Sequence, residues 1–150
     1  MGGFGITVSQ QSAGTVVNMG GVCIGHATPS SSPNTLTVNN NAPVSFTLNF
    51  DRPLGSVSFT RVRLNAGPSG VNSTGFSATA YSATDAAGTQ LAQVSEGAQF
   101  AFGSNFIAAY SFTLTGTGIR SVRFARTDPS GQNTSFGVSF AVLDDFVLTE

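Results

Sequence analysis

Cysteine, histidine and acidic residues are the first candidates for catalysis in this chain, and they are few. The single cysteine, Cys23, and the single histidine, His26, lie three positions apart in a glycine-rich segment. A Cys–His nucleophile pair also needs a third group that orients the base, and no motif near these residues provides one. Asp144 and Asp145 are adjacent, and neighbours on a strand point to opposite faces, so they cannot flank one glycosidic bond. The sequence therefore predicts that this protein is not an enzyme.

Asp144 occupies an unusual place in the last predicted strand. Positions 136, 138, 140, 142, 146 and 148 are apolar and share one phase of a two-residue repeat, and Asp144 shares that phase. A carboxylate that faces a core must be hydrogen-bonded, paired with a cation or bound to a metal. We therefore expect at least two donors or one metal ion at Asp144. Asp145 is expected to face solvent, unless a bulge exchanges the two.

Arginine and tyrosine residues are the candidates for binding a ligand. Arg61 and Arg63 are two positions apart and share a face, which we expect to be exposed to solvent beyond a bulge near residues 60–62. Arg123 lies opposite its apolar neighbours, and Tyr81 is out of phase with the core residues of its own strand. A row of arginines on a sheet face can hold a carboxylated sugar. The simpler interpretation is cross-strand pairing with aspartates, or solubility alone.

The composition is that of one weakly charged domain. The 150 residues include 6 basic residues, all of them arginine, and 7 acidic residues, for a net charge of −1. Such a chain has no field that attracts a polyanion, which argues against a nucleic-acid partner. No run approaches 18 apolar residues and no signal peptide begins the sequence, so we expect no membrane insertion by this segment. At this length one domain, residues 1–150, is expected.

Alternating apolar residues predict strands along the whole chain and no helix. About nine or ten strands, separated by Gly, Pro, Asn and Ser turns at roughly 8–14 residue spacing, favour an antiparallel β-sandwich, with a jelly roll as its expected form. Residues 51–55 and 116–118 are each expected to separate two strands. The residues expected in the core are Phe46, Leu48, Phe59, Phe112, Leu114, Val122, Phe124, Phe140 and Val142.

Five segments occur in a recognisable order along the chain. They are residues 32–36 (SPNTL), 50–59 (FDRPLGSVSF), 80–88 (AYSATDAAG), 118–124 (GIRSVRF) and 143–150 (LDDFVLTE). Together they resemble the extracellular domains of bacterial PEP-CTERM proteins, which exosortase sorts. The Val-Pro-Glu-Pro segment, membrane helix and arginine cluster that typically follow in such proteins do not occur in these 150 residues. The resemblance implies a secreted or cell-surface bacterial protein with a jelly roll similar to galactose-binding-like carbohydrate modules.

The same resemblance implies a structural calcium ion. Galactose-binding-like modules often hold one through a carboxylate near the last strand, a position that Asp144 matches, with Asp145 as the other candidate. Calcium takes about 6–8 oxygen ligands, and the first forty residues contain no Asp or Glu. The remaining ligands would then be carbonyl or asparagine oxygens. The alternative is that Asp144 accepts backbone N–H bonds or pairs with an arginine.

Two functions follow from the sequence and remain open. The first is a non-catalytic extracellular surface module that binds a glycan or extracellular polysaccharide through Arg61, Arg63, Tyr81 and Arg123. The second is a structural or adhesive protein that self-associates through β-strand contacts. Low charge and the absence of lysine favour the second, because edge strands then lack the side chains that oppose edge-to-edge pairing.

Overall fold

The structure is a computed structural model that describes residues 5–10, 16–19, 36–39, 45–62, 71–73, 76–96, 99–101, 110–127 and 142–150. These residues form ten strands and no helix, which confirms the predicted all-β fold for them, and none lies in a helix that could cross a membrane. The strands are β1 (Ile6–Ser9), β2 (Val16–Met19), β3 (Leu36–Asn39), β4 (Ser45–Val62), β5 (Val71–Ser73), β6 (Phe76–Tyr81), β7 (Gln90–Glu96), β8 (Gln99–Ala101), β9 (Tyr110–Arg126) and β10 (Val142–Thr149). Cys23, His26 and Arg63 lie outside the described residues.

Eight of the described strands form one antiparallel sheet. Its order is β2-β3-β10-β4-β9-β6-β7, and β1 also pairs with β4. One edge of β4 pairs with β9 along most of its length, while the other pairs first with β1 and then with β10. β5 and β8 pair with each other in a separate two-stranded sheet. The jelly-roll connectivity stays a prediction, because several segments that join the strands lie outside the described residues.

Residues 51–55 and 116–118 lie within strands and are not the turns that the sequence predicts. β4 contains 18 residues and β9 contains 17. The register between them shifts after Asn49, where the extra residues are on β4, and again after Leu54, where they are on β9, and pairing continues on both sides. Pro53 is exposed at this point, and bulges are among the few places where a strand accepts a proline. Gly118 has φ of 82°, a conformation that favours glycine.

The β4–β9 pair folds back on itself at these irregularities. Phe46 and Phe59 are thirteen positions apart on β4, which is roughly 43 Å along a straight strand. The Phe124 ring nevertheless lies 5.1 Å from the Phe46 ring and 5.2 Å from the Phe59 ring, centroid to centroid. One aromatic side chain can contact both only if the two halves of the strand pair face each other. The core lies between these halves.

The core that results contains most of the residues expected from the sequence. The expected residues that are buried are Phe46, Leu48, Phe59, Leu114, Val122 and Phe124. Phe112 is partly buried and packs against this cluster. Phe140 lies outside the described residues, and so does the side chain of Val142. Aromatic rings dominate the packing around Phe59, whose ring meets four other phenylalanine rings at centroid distances of 5.2–6.2 Å.

Candidate functional site

Arg61 lies on the core side of β4, so its predicted exposure is wrong. The register with β9 runs without a shift from Ser56 to Arg61, and the bulge expected near residues 60–62 is absent from β4. Arg61 therefore keeps the phase of Phe59 and points inward, with 1% of its surface exposed. The sequence interpretation failed because the apolar residue at position 62 suggested a change of phase that the partner strand does not permit.

The buried Arg61 guanidinium is held by an ion pair and an aromatic ring. Nη1 of Arg61 donates a hydrogen bond to Oε2 of Glu96, the last residue of β7. The Glu96 side chain is 12% exposed. The guanidinium carbon lies 4.6 Å from the centroid of the Phe76 ring, a cation–π contact. A charge in a core needs such compensation. The pair links β4 to β7, and its burial removes Arg61 from the candidates for a surface ligand site.

Asp144 is buried and Asp145 is exposed, as the sequence predicts. The phase differs from the prediction, however. The register of β10 places Leu143 opposite Arg61 and Asp144 opposite Thr60. Directly opposed residues share a face, so Leu143 is the residue on the core side. Oδ1 of Asp144 accepts a hydrogen bond of 2.8 Å from the N–H of Asp145, which provides one of the two expected donors.

A bulge in β10 causes this change of phase. The register with β4 shifts by one residue between Asp144 and Val147, and Asp145 has φ of 50°. Aspartate tolerates this left-handed region better than most residues with a side chain. Beyond the bulge Phe146 turns towards the core, and its ring stacks against Phe59 at 5.9 Å. The bulge expected on β4 therefore lies on its neighbour.

The calcium site at Asp144 and Asp145 stays a prediction. Within the described residues, no group of three or more His, Cys, Asp or Glu side chains comes together. The hydrogen bond from the Asp145 N–H fits the alternative, in which Asp144 is satisfied by backbone donors. The carbonyl and asparagine oxygens that the calcium hypothesis needs were expected in the first forty residues, of which the structure describes 5–10, 16–19 and 36–39.

Tyr81 and Arg123 share the outer face of the sheet, on the side away from the core. In the β6–β9 register Tyr81 pairs with Ser121 and Thr79 pairs with Arg123, so the side chains of all four lie on one face. Tyr81 and Arg123 are both partly exposed. Because Arg61 lies on the opposite, inner face, it is not in a row with Arg123.

Arg123 belongs to a polar cluster at the rim of this face. We call it the Asp85 cluster, and its members are Ser9, Gln10, Thr47, Asn49, Asp85 and Arg123. Oδ1 of Asp85 accepts hydrogen bonds from Ser9 Oγ (2.5 Å) and Asn49 Nδ2 (2.9 Å). The N–H of Asp85 donates in return to Asn49 Oδ1 (2.8 Å). The cluster joins β1, β4 and the β6–β7 turn.

Gln10 is the centre of the second half of the Asp85 cluster. Its Oε1 accepts a hydrogen bond from Thr47 Oγ1 (2.9 Å) and another from Arg123 Nη1 (3.2 Å). Its Nε2 donates to the main-chain carbonyl of Asp85 (2.5 Å). Arg123 Nη2 also donates to Ser45 Oγ (3.2 Å). Gln10 thus bridges the Arg123 guanidinium and the turn that carries Asp85.

The β6–β7 turn positions Asp85. A main-chain hydrogen bond closes residues 84–87, and φ values of 58° for Asp85 and 53° for Ala86 are those of a type I′ hairpin turn. The buried hydroxyl of Ser121 donates to the Ala83 carbonyl (2.6 Å) and accepts from the Ala86 N–H (3.1 Å). These two bonds fix the turn to β9.

Backbone strain is concentrated in the same place. Four non-glycine residues of the described chain have positive φ, and three of them, Gln10, Asp85 and Ala86, belong to this cluster and its turn. Each such residue costs on the order of 1–3 kcal/mol and persists only where its surroundings enforce it. Hydrogen bonds from Ser9 and Asn49 lower the pKa of the exposed Asp85 carboxyl, so it is ionised at neutral pH. Gln10 connects the turn that carries this anionic acceptor to the Arg123 guanidinium.

Sequence analysis did not identify Asp85, Gln10 or Asn49 as site residues. Asp85 meets Asn49 across 36 positions and Ser9 across 76, and no local pattern reports contacts at that distance. Asn49 lies on the polar phase of β4, with Ser45 and Thr47. The only local signal was therefore its residue type, because asparagine is disfavoured in strands.

Comparison with known proteins adds no family assignment. No protein-family model matches this chain. No curated protein is significantly similar to it.

Proposed function

We propose that this chain is a non-catalytic module of a bacterial protein, secreted or held at the cell surface, that binds carbohydrate. The proposed binding surface is the outer face that carries Tyr81, Asp85 and Arg123. The observation that supports it is that Gln10 bonds both the Arg123 guanidinium and the main-chain carbonyl of Asp85, so that a cationic donor and the turn with an anionic acceptor are joined at one rim. The resemblance to galactose-binding-like modules of exported proteins points to the same class of ligand.

The groups on this face suit the hydroxyls of a sugar. Oδ1 of Asp85 already accepts two hydrogen bonds, and the bonds within the described residues leave Oδ2 for an incoming hydroxyl. A carboxylate accepts and a guanidinium donates, and adjacent sugar hydroxyls can do both. Tyr81 adds a partly exposed aromatic ring on the same face, which is the other usual component of such sites. Because the network is already held in place, binding would lose little side-chain entropy.

A glycan array tests this proposal, with calorimetry on any polysaccharide that is bound. We expect binding by the parent protein and affinities at least about tenfold weaker for Tyr81→Ala and Arg123→Gln, since each loses more than about 1.4 kcal/mol of contact. Arg52→Gln is the matched control, because Arg52 is exposed and pairs with Glu150 at another site. A parent that binds no glycan, or variants that bind as the parent does, would contradict the proposal.

Self-association is the alternative function, and one observation favours it. Among the described strands β7 lies at the end of the sheet order and pairs only with β6. Residues 90–96 contain no Lys, Arg or Pro, which are the residues that normally oppose edge-to-edge pairing. Light scattering tests this function: a multimer that Gln93→Lys disperses would support it. A monomer at all concentrations would exclude it.

A further inference from the structure

The first strand carries two of the side chains that hold the proposed binding surface together. We propose that residues 6–10, which we call the latch, undock from the sheet as a unit and position Asp85 and Arg123 when they are docked. Ser9, the last residue of β1, and Gln10, which follows it, are the positioning residues. The inference rests on the proposed function for its ligand, but the coupling of the latch to the β6–β7 turn can be measured without one.

Few apolar contacts hold β1 to the sheet. The strand has four residues and pairs with no described strand other than β4. Val8 is partly buried and packs against the core, whereas Ile6 is 38% exposed. Segments with little buried apolar surface open at a lower free energy than the core strands beside them. We therefore expect the latch to open while the rest of the sheet stays folded, and the docked state to be the major one.

Hydrogen bonds to the Asp85 cluster are the second attachment of the latch. Ser9 Oγ donates to Oδ1 of Asp85 (2.5 Å), and Gln10 Nε2 donates to the main-chain carbonyl of Asp85 (2.5 Å). Gln10 Oε1 accepts from Arg123 Nη1 (3.2 Å). The latch thus contacts both charged members of the cluster, and undocking breaks its bonds to each of them.

The β6–β7 turn depends on these bonds for its conformation. Asp85 and Ala86 have φ of 58° and 53°, and residues with side chains keep such values only where their surroundings enforce them. Ser121 bonds the Ala86 N–H from β9, whereas the latch supplies two of the bonds to Asp85. A ligand that needs both Asp85 and Arg123 therefore selects the docked state. Its apparent dissociation constant is the intrinsic one divided by the docked fraction.

Amide hydrogen exchange in low concentrations of denaturant, followed by NMR, tests whether the latch opens separately. The Asp51 N–H bonds the Gly5 carbonyl and antiparallel pairing alternates, so Thr7 and Ser9 are the residues of β1 whose N–H groups bond β4. Their exchange should depend weakly on denaturant, because little surface is exposed, and that of β9 should depend on it strongly. Asp85→Gly removes the carboxylate at a φ that glycine accepts. It should accelerate exchange at Thr7 and Ser9 at least about tenfold.

The reverse substitution tests the coupling, because linkage between two sites is reciprocal. Ser9→Ala should accelerate exchange of the Asp85 N–H, which bonds Asn49 Oδ1, whereas Ser9→Thr keeps a hydroxyl and should not. Ser58→Ala is the matched control, because Ser58 bonds Thr113 on the other half of β4, and it should leave exchange in the latch as in the parent. A latch that exchanges with the denaturant dependence of β9, or an Asp85 amide that Ser9→Ala leaves unchanged, would overturn the inference.

Binding measurements separate this inference from the proposed function. With a polysaccharide that the glycan array identifies, saturation should slow exchange at Thr7 and Ser9, and Gln10→Ala should bind at least about tenfold more weakly. Binding that leaves exchange in the latch unchanged would overturn the inference and leave the proposed function intact. A parent that binds no glycan would contradict the proposed function, while exchange in the protein without ligand would still decide whether β1 positions the turn.

Discussion

Replacing Glu96 tests how strongly the buried ion pair stabilises the fold. Glu96→Gln keeps the size of the side chain but removes the negative charge next to the Arg61 guanidinium. Because Arg61 is 1% exposed, its charge cannot turn to water without opening the core. Loss of one partner of such a pair costs about 3–5 kcal/mol. That is a large fraction of the roughly 5–15 kcal/mol by which a domain is stable.

The assay is denaturant unfolding of the two single variants and of one apolar double variant. Arg61→Met should cost less than Glu96→Gln, because the remaining Glu96 is nearer the surface, although the contact with Phe76 is lost as well. The double variant Arg61→Met/Glu96→Leu should recover most of the loss, since apolar replacement of a buried pair is often neutral or stabilising by about 1–4 kcal/mol.

The exposed pair between Arg52 and Glu150 is the matched control. Its nitrogen and oxygen are 3.0 Å apart, but the side chains are 38% and 59% exposed. Glu150→Gln should therefore change the free energy of unfolding by about 1 kcal/mol or less. If Glu96→Gln unfolds at the same denaturant concentration as Glu150→Gln, the burial argument for Arg61 is refuted.

Four further results are expected. Phe59→Ala should lower the free energy of unfolding by about 3–5 kcal/mol, because the Phe59 ring contacts four other rings. A much smaller loss, measured by urea titration, would mean that the two halves of the sheet do not meet at this ring. The φ of Asp145 is 50°, a conformation that glycine accepts and alanine does not. Asp145→Gly should therefore leave the free energy of unfolding unchanged or raise it by up to about 1 kcal/mol, and Asp145→Ala should lower it by a similar amount. Equal melting temperatures of the two variants would contradict the bulge. The lowered pKa of Asp85 means that its ionised form stabilises the fold above the unfolded pKa of about 3.9, and that this contribution is lost as pH falls through the folded pKa. The melting temperatures of the parent and Asp85→Asn should therefore converge in acid, and a constant difference down to the lowest pH would contradict this. If Asp144 binds calcium, a chelator should lower the melting temperature of the parent and not that of Asp144→Asn, whereas equal behaviour would assign Asp144 to hydrogen bonding alone.

Local alternation in the sequence was enough to determine the class of fold and most of the core. Residues such as Phe46, Leu48, Val122 and Phe124 lie in stretches of β4 and β9 that keep one phase, so their inward direction follows from the two-residue period alone. The exposure of Asp145 and the burial of Asp144 were predicted in the same way. The reason given for Asp144 was wrong, because a one-residue bulge reverses which neighbour faces the core.

Tertiary structure decided what local patterns cannot express. Residues 51–55 have the composition of a turn, yet β4 continues through them because β9 pairs with it on both sides of the irregularity. The inward direction of Arg61 depends on a register set by that partner. Its buried charge is compensated in part by Glu96, which is 35 positions away.

Strand content, the apolar core and the low charge thus follow from local sequence alone, because they are properties of single residues and of their spacing. The Asp85 cluster was decided only when β1, β4, β9 and the β6–β7 turn came together, because the hydrogen bonds that orient Gln10 and lower the pKa of Asp85 all cross between elements. Hydrogen bonds of this kind act over about 3 Å, so residues that form them can be any distance apart in the chain.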